Sequence, residues 1–156
     1  MSVSLLSGEI KEHFDFLFDR GFAIRSISPP MQNMGNWIVT LESSQCIFRI
    51  ISDHGEISLD VGPKSNTGVQ KWFSINAVVF YITEGRILLE EFKEQIPQKD
   101  EQYRRLAKLL RDHLDKIIML MGKDFVNHDA KLTETMRIVS RIYVKRYEEY
   151  KARKNS

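Results

Sequence analysis

The stretch Trp37-Ile38-Val39-Thr40-Leu41-Glu42-Ser43-Ser44-Gln45-Cys46-Ile47-Phe48-Arg49-Ile50-Ile51-Ser52-Asp53-His54-Gly55-Glu56-Ile57-Ser58-Leu59-Asp60-Val61-Gly62 decides the fold. It holds three runs rich in β-branched and aromatic residues, 37–42, 45–53 and 56–62, separated by Ser43-Ser44 and His54-Gly55. Runs of this kind bounded by turn residues predict strands joined as hairpins. Tight turns also set a register. The first hairpin is expected to pair Leu41 with Cys46, Val39 with Phe48 and Trp37 with Ile50. The second pairs Ile50 with Leu59 and Phe48 with Val61. Both hairpins place Cys46, Phe48 and Ile50 on one apolar face, which is the argument for an antiparallel meander. On the other face Arg49 meets Asp60, an opposite-charge pair worth about 0.2–1 kcal/mol. Asp53 faces Glu56 at the second turn, where a bulge would separate the like charges.

Upstream, Ile10, Phe14, Leu17 and Phe18 recur at helical spacing and predict a helix over 8–20. Ser7 is its expected N-cap and Gly21 its end. Phe22, Ile24 and Ile27 read as a fourth strand running to Pro29-Pro30, and 30–36 as a loop. Downstream, Gly62 to Gly68 is a loop rich in turn residues. Ser74 caps a buried helix to Thr83, carrying Ile75, Val78, Val79 and Ile82, with Gly85 after it. Residues 87–96 suggest a further short helix. A long helix runs from Pro97 to Met121 with Tyr103, Leu106, Leu110, Leu114, Ile117 and Met121 along one stripe, stopped by Gly122. The last helix spans about 130–150, its stripe made of Leu132, Met136, Val139, Tyr143, Tyr147 and Tyr150; the tail from Lys151 is expected to fray.

These elements predict an α+β fold: an antiparallel β-meander of three to four strands packed on an N-terminal helix and a C-terminal group of helices. The expected organisation is a sheet domain over 1–96 and a helical hairpin over 97–156 packed on the same core. No repeat of 20–50 residues recurs.

Composition narrows the class. At 156 residues, 42% hydrophobic and 28% charged, the chain can bury a core, which excludes wholesale disorder. Apolar runs such as Ile117 to Met121 are too short to cross a bilayer. The opening Met1 to Leu6 lacks a basic start and a long apolar stretch, so no secretory signal is expected. The single Cys46 predicts a reduced, cytoplasmic protein. The net charge of +2 conceals an asymmetry: residues 1–62 carry four basic against eight acidic side chains, residues 97–156 fifteen against nine. Such halves pack against one another or face different partners.

Residues that carry chemistry are sparse. His13, His54, His113 and His128 show no ligand spacing, and the cluster Asp124, His128 and Asp129 reads as helix capping rather than a metal site. Cys46 points into the predicted core, where a thiol is inert. Gly62-Pro63-Lys64-Ser65-Asn66-Thr67-Gly68 has its lysine in the wrong order for a phosphate loop. The neighbouring carboxylates Glu90-Glu91, Asp100-Glu101 and Glu148-Glu149 diverge on a helix and cannot share one bond. No catalytic, cofactor or metal site is expected, and the chain reads as a non-enzyme.

Electrostatics suggest more. Arg137, Arg141 and Lys145 recur every four residues on the last helix, and from Lys131 onward eight basic residues face three acidic ones. This footprint suits nucleic-acid phosphates, with Tyr143, Tyr147 and Tyr150 available to stack on bases.

The runs Gly35-Asn36-Trp37-Ile38-Val39, Phe48-Arg49-Ile50, Asp53-His54-Gly55-Glu56-Ile57 and Asp60-Val61-Gly62-Pro63, with Trp72-Phe73 following, give residues 10–85 a recognisable look. This part resembles small uncharacterised bacterial proteins, some of them similar to immunity proteins that accompany secreted toxins. The resemblance implies a non-catalytic inhibitor that covers a toxin's active site. It identifies no residues and leaves the C-terminal helices unexplained.

The expected function is therefore a cytoplasmic protein-interaction module. A cationic partner such as a toxin would meet Glu42, Glu56 and Asp60 together with Met31, Asn33 and Met34 of the 30–36 loop. The alternative is a nucleic-acid-associated protein using Arg137, Arg141 and Lys145. A homodimer through the C-terminal helices is compatible with both.

Overall fold

A computed structural model describes residues 3–28, 35–65, 68–87 and 96–156. At its centre are β2 (Trp37–Glu42), β3 (Cys46–Asp53) and β4 (Glu56–Pro63), extended on one side by β1 (Ala23–Ser28) and on the other by the two-residue β5 (Phe73–Ser74). All neighbours pair antiparallel in the order β1-β2-β3-β4-β5, so the meander has five strands and the fold is α+β.

The second hairpin has the expected register, with Ile50 opposite Leu59, Phe48 opposite Val61 and Arg49 opposite Asp60. Its turn residues His54 and Gly55 both have positive φ, +50° and +85°. That geometry matches strand twist in a two-residue turn, so Asp53 and Glu56 stay paired and no bulge forms there. The irregularity lies instead between Ile24 and Ser26 of β1. The first hairpin differs from expectation: Val39 faces Ile50 and Leu41 faces Phe48, a slip of two residues. Ser43 causes it. Its hydroxyl accepts from the N–H groups of Gln45 (3.1 Å) and Cys46 (3.3 Å), while its own N–H donates to the Cys46 carbonyl at 3.1 Å. The turn thereby takes in two more residues. A slip of two preserves the pleat, so Cys46, Phe48 and Ile50 remain on the buried face.

The predicted first helix is two. α1 (Val3–His13) contains Ser7 in its interior, and α2 (Asp15–Asp19) follows a break at Phe14, which has φ −121° and ψ 32°. Ser7 is therefore no cap. The break lets Phe14 and Leu17 share the core with Leu6 and Ile10, all fully buried. Gly21 has φ +88° and ends this region as expected.

α3 (Ile75–Ile82) starts at Ser74, whose hydroxyl accepts from Ala77 N–H at 3.2 Å. The helix expected over 87–96 lies outside the described residues, apart from its two ends. α4 (Lys99–Met121) buries the predicted stripe except Leu106, which is partly buried. α5 runs Phe125–Lys154, longer at both ends than the sequence suggests, and residues 151–154 stay helical. One buried cluster joins α1, the sheet, α3, α4 and Leu132 of α5. α5 rests chiefly on α3, where Ala77 and Val139 bury together with Met136, Phe80, Ile142 and Tyr143 around them. No described helix is long and apolar enough to cross a membrane.

Candidate functional site

Residues 70–72 cross the outer face of the sheet where β4 carries Gly62. A Cβ there would stand 2.1 Å from the Lys71 carbonyl oxygen, so only glycine admits this crossing. Gln70 secures it by donating from its side-chain amide to the carbonyls of Pro63 (2.7 Å) and Lys71 (2.9 Å). The crossing sets Trp72 beside the Arg49 guanidinium, 4.4 Å from the ring centre, and Arg49 is itself held by Asp60 at 2.8 Å. Phe73 enters β5 and meets Phe125 of α5 edge-on, centroids 5.9 Å apart. Lys71 pairs with Asp129 of α5, tying the crossing to that helix.

Between this crossing and α5 lies an open groove of about 860 Å³. One wall is Lys71, Trp72 and Phe73; the other is Thr133, Glu134, Met136, Arg137, Ser140 and Arg141. The floor is apolar and the rim cationic. Glu134 serves two guanidinium groups, Arg137 at 3.1 Å and Arg141 at 3.3 Å, so one carboxylate is shared by two cations and the cluster keeps a net positive charge. These pairs are exposed and close in sequence, and such pairs contribute about 0–1 kcal/mol each, so an incoming anion competes readily with Glu134. Asp129, the partner of Lys71, keeps its other carboxylate oxygen buried without a hydrogen-bond partner among the described residues.

The predicted residues fall in three places. Arg137 and Arg141 line the groove; Lys145, one turn on, is exposed and outside it. Glu42, Glu56 and Asp60 lie on the sheet, but the first and last are already engaged. Glu42 receives Lys64 at 2.9 Å and Arg25 at 3.3 Å, and these hold its carboxyl below the usual carboxylate range, the Lys64 hydrogen bond most of all. Asp60 holds Arg49. Only Glu56 stands exposed at the hairpin turn. Met31, Asn33 and Met34 lie outside the described residues. Trp72, Phe73, Lys71 and Met136 were not expected as site residues. The adjacent aromatics Trp72-Phe73 before a capped helix were the available signal, but their partners are some 60 positions away.

Several other reactive groups make contacts inside the fold. Cys46 is buried and its thiol is pushed up to about 12 by that burial, so it stays protonated at neutral pH. His128 bonds the Tyr81 hydroxyl across α5 and α3, and His13 stacks on Tyr103 at 4.6 Å. Burial and the nearby Glu9 carboxylate raise the Tyr103 phenol well above its ordinary value. Among the described residues no three His, Cys, Asp or Glu side chains gather as metal ligands. Fold and groove together define an α+β chain with an open, cation-rimmed surface site. Comparison with protein-family models, curated proteins and solved structures yields no match.

Proposed function

We propose that this chain is a non-catalytic protein-interaction module, of the kind to which immunity-like inhibitors belong, and that it binds through the groove between residues 71–73 and α5. The observation that carries this reading is the groove itself: an apolar floor beside Trp72 and Met136, with two guanidinium groups sharing one carboxylate at the rim. Aromatic and arginine side chains around a desolvated pocket are the usual energetic centres of an interface. The charge of the rim favours an acidic segment. The acidic sheet face is the weaker candidate for a cationic partner, because Glu42 and Asp60 are already paired.

The test is selection from a random displayed-peptide library on the immobilised chain. The expected result is enrichment of peptides joining acidic and apolar side chains. Their affinity should fall at least about tenfold with Trp72→Ala or Met136→Asp, and be indifferent to Glu56→Lys. Enrichment abolished by Glu56→Lys but not by the groove variants would move the surface to the sheet, and no enrichment at all would remove the reading.

The surplus of cations on α5, including Lys145, favours nucleic acid as a second reading. Its signature is binding of single-stranded oligonucleotides that weakens steeply with salt and with Arg137→Glu and Arg141→Glu. A flat salt response counts against it.

A further inference from the structure

Two rim cations of the groove are joined through one carboxylate. Arg137 donates from a terminal guanidinium nitrogen to Oε2 of Glu134 at 3.1 Å, and Arg141 donates to Oε1 at 3.3 Å. Neighbours on a helix surface stand three or four residues apart. Glu134 and Arg137 are such a pair, but Arg141 is two turns from Glu134, about 10 Å along the axis. The Arg141 side chain folds back over that distance and donates from Nε to the Arg137 carbonyl at 3.4 Å on the way. Two guanidinium groups are thereby set one to each oxygen of a carboxylate, in the wall of the groove opposite Trp72 and Phe73. All three charged side chains are half exposed or more, so water and solutes reach these contacts.

We infer that Glu134 is an internal competitor for the groove: the chain's own carboxylate fills the place that an aspartate or glutamate side chain of a partner takes on binding. The inference rests on the groove reading and adds to it the recognised group and the residue that regulates access. The present occupant defines the class of ligand, because the arginine pair already holds a carboxylate by one oxygen each. Two positive charges against one negative keep the cluster cationic, so a second carboxylate is attracted while Glu134 is still in place. Glu134 is tethered to the same helix and competes at a high effective concentration. The free chain therefore binds an acidic segment less tightly than the bare arginine pair would. Beside this anchor, Met136 and Trp72 cover the partner's adjoining apolar group.

The experiment is titration of the full chain with 4-phenylbutyrate, a carboxylate joined to an apolar ring, at constant ionic strength. Side-chain NMR signals of Arg137, Arg141 and Trp72 follow binding, and circular dichroism confirms the fold of each variant. All three signals are expected to move saturably, with Glu134→Gln binding at least about threefold more tightly than wild type. The neutral 4-phenylbutyramide should leave the guanidinium signals in place. Trp72→Ala should weaken binding in wild type and in Glu134→Gln alike. If Trp72→Ala weakens binding but Glu134→Gln leaves it unchanged, the groove reading stands and this inference falls. If Glu134→Gln tightens binding and Trp72→Ala does nothing, the competitor stands and the groove reading falls. No binding to Glu134→Gln, in which the arginine pair is released, overturns the inference. So does tighter binding of methyl 3-phenylpropyl phosphate, a phosphodiester of the same single charge, which would favour nucleic acid.

Discussion

A Cβ on residue 62 would meet the Lys71 carbonyl oxygen at 2.1 Å, far inside contact distance. Gly62 is therefore the residue on which the groove's near wall depends. Gly62→Ala is expected to push residues 70–72 off the sheet, costing about 1–3 kcal/mol as overpacking does. Trp72 should lose its place beside Arg49, shifting its emission to longer wavelength. Thermal melting and the emission spectrum of a Trp37→Phe background check this. An alanine variant with wild-type melting and emission would mean the crossing relaxes without loss. Nothing at position 62 in the sequence distinguishes a glycine in a loop from one that admits a distant carbonyl, so this role was not legible there.

Among the elements, the hairpin of β3 and β4 is pinned to α4 by one side chain. Gln102 accepts from Ile57 N–H at 2.8 Å and donates to the carbonyls of Gly55 (2.9 Å) and Pro97 (3.0 Å). Gln102→Ala leaves a partly buried N–H without its acceptor and is expected to cost about 1–3 kcal/mol in urea unfolding. Gln102→Glu keeps the acceptor and loses the donors, so it should fall between alanine and wild type. Equal stability for all three would show that water replaces the staple. The strands, the apolar stripe of α4 and the Ser74 cap were legible because local chemistry decides them. The slip in the first hairpin was not, because it turns on which N–H groups the Ser43 hydroxyl takes.

For the molecule as a whole, the buried cluster extends from Leu6 in α1 through the sheet to Leu132 in α5. Chains whose elements share one core unfold in a single cooperative step. Denaturation followed by Trp37 fluorescence and by far-ultraviolet ellipticity is accordingly expected to give coincident transitions. Separate midpoints for sheet and helices would mean that residues 1–96 and 97–156 fold as distinct units. The groove belongs to this scale as well. Its two walls are some 60 residues apart in the chain and face each other because α5 packs on α3.

Periodicity and turn chemistry in the sequence determined the elements, the buried face of the meander and the α+β class, since each depends on residues within a few positions of one another. The same local reading picked out Arg137 and Arg141 as a pair. Only the tertiary structure decided that Trp72 joins them, that Glu42 is already neutralised by Lys64 and Arg25, and that α5 packs on α3. The reason is physical: pairing of charges and closure of a groove depend on contacts between distant segments, and hydrophobic burial, which brings those segments together, is blind to which polar groups it sets side by side.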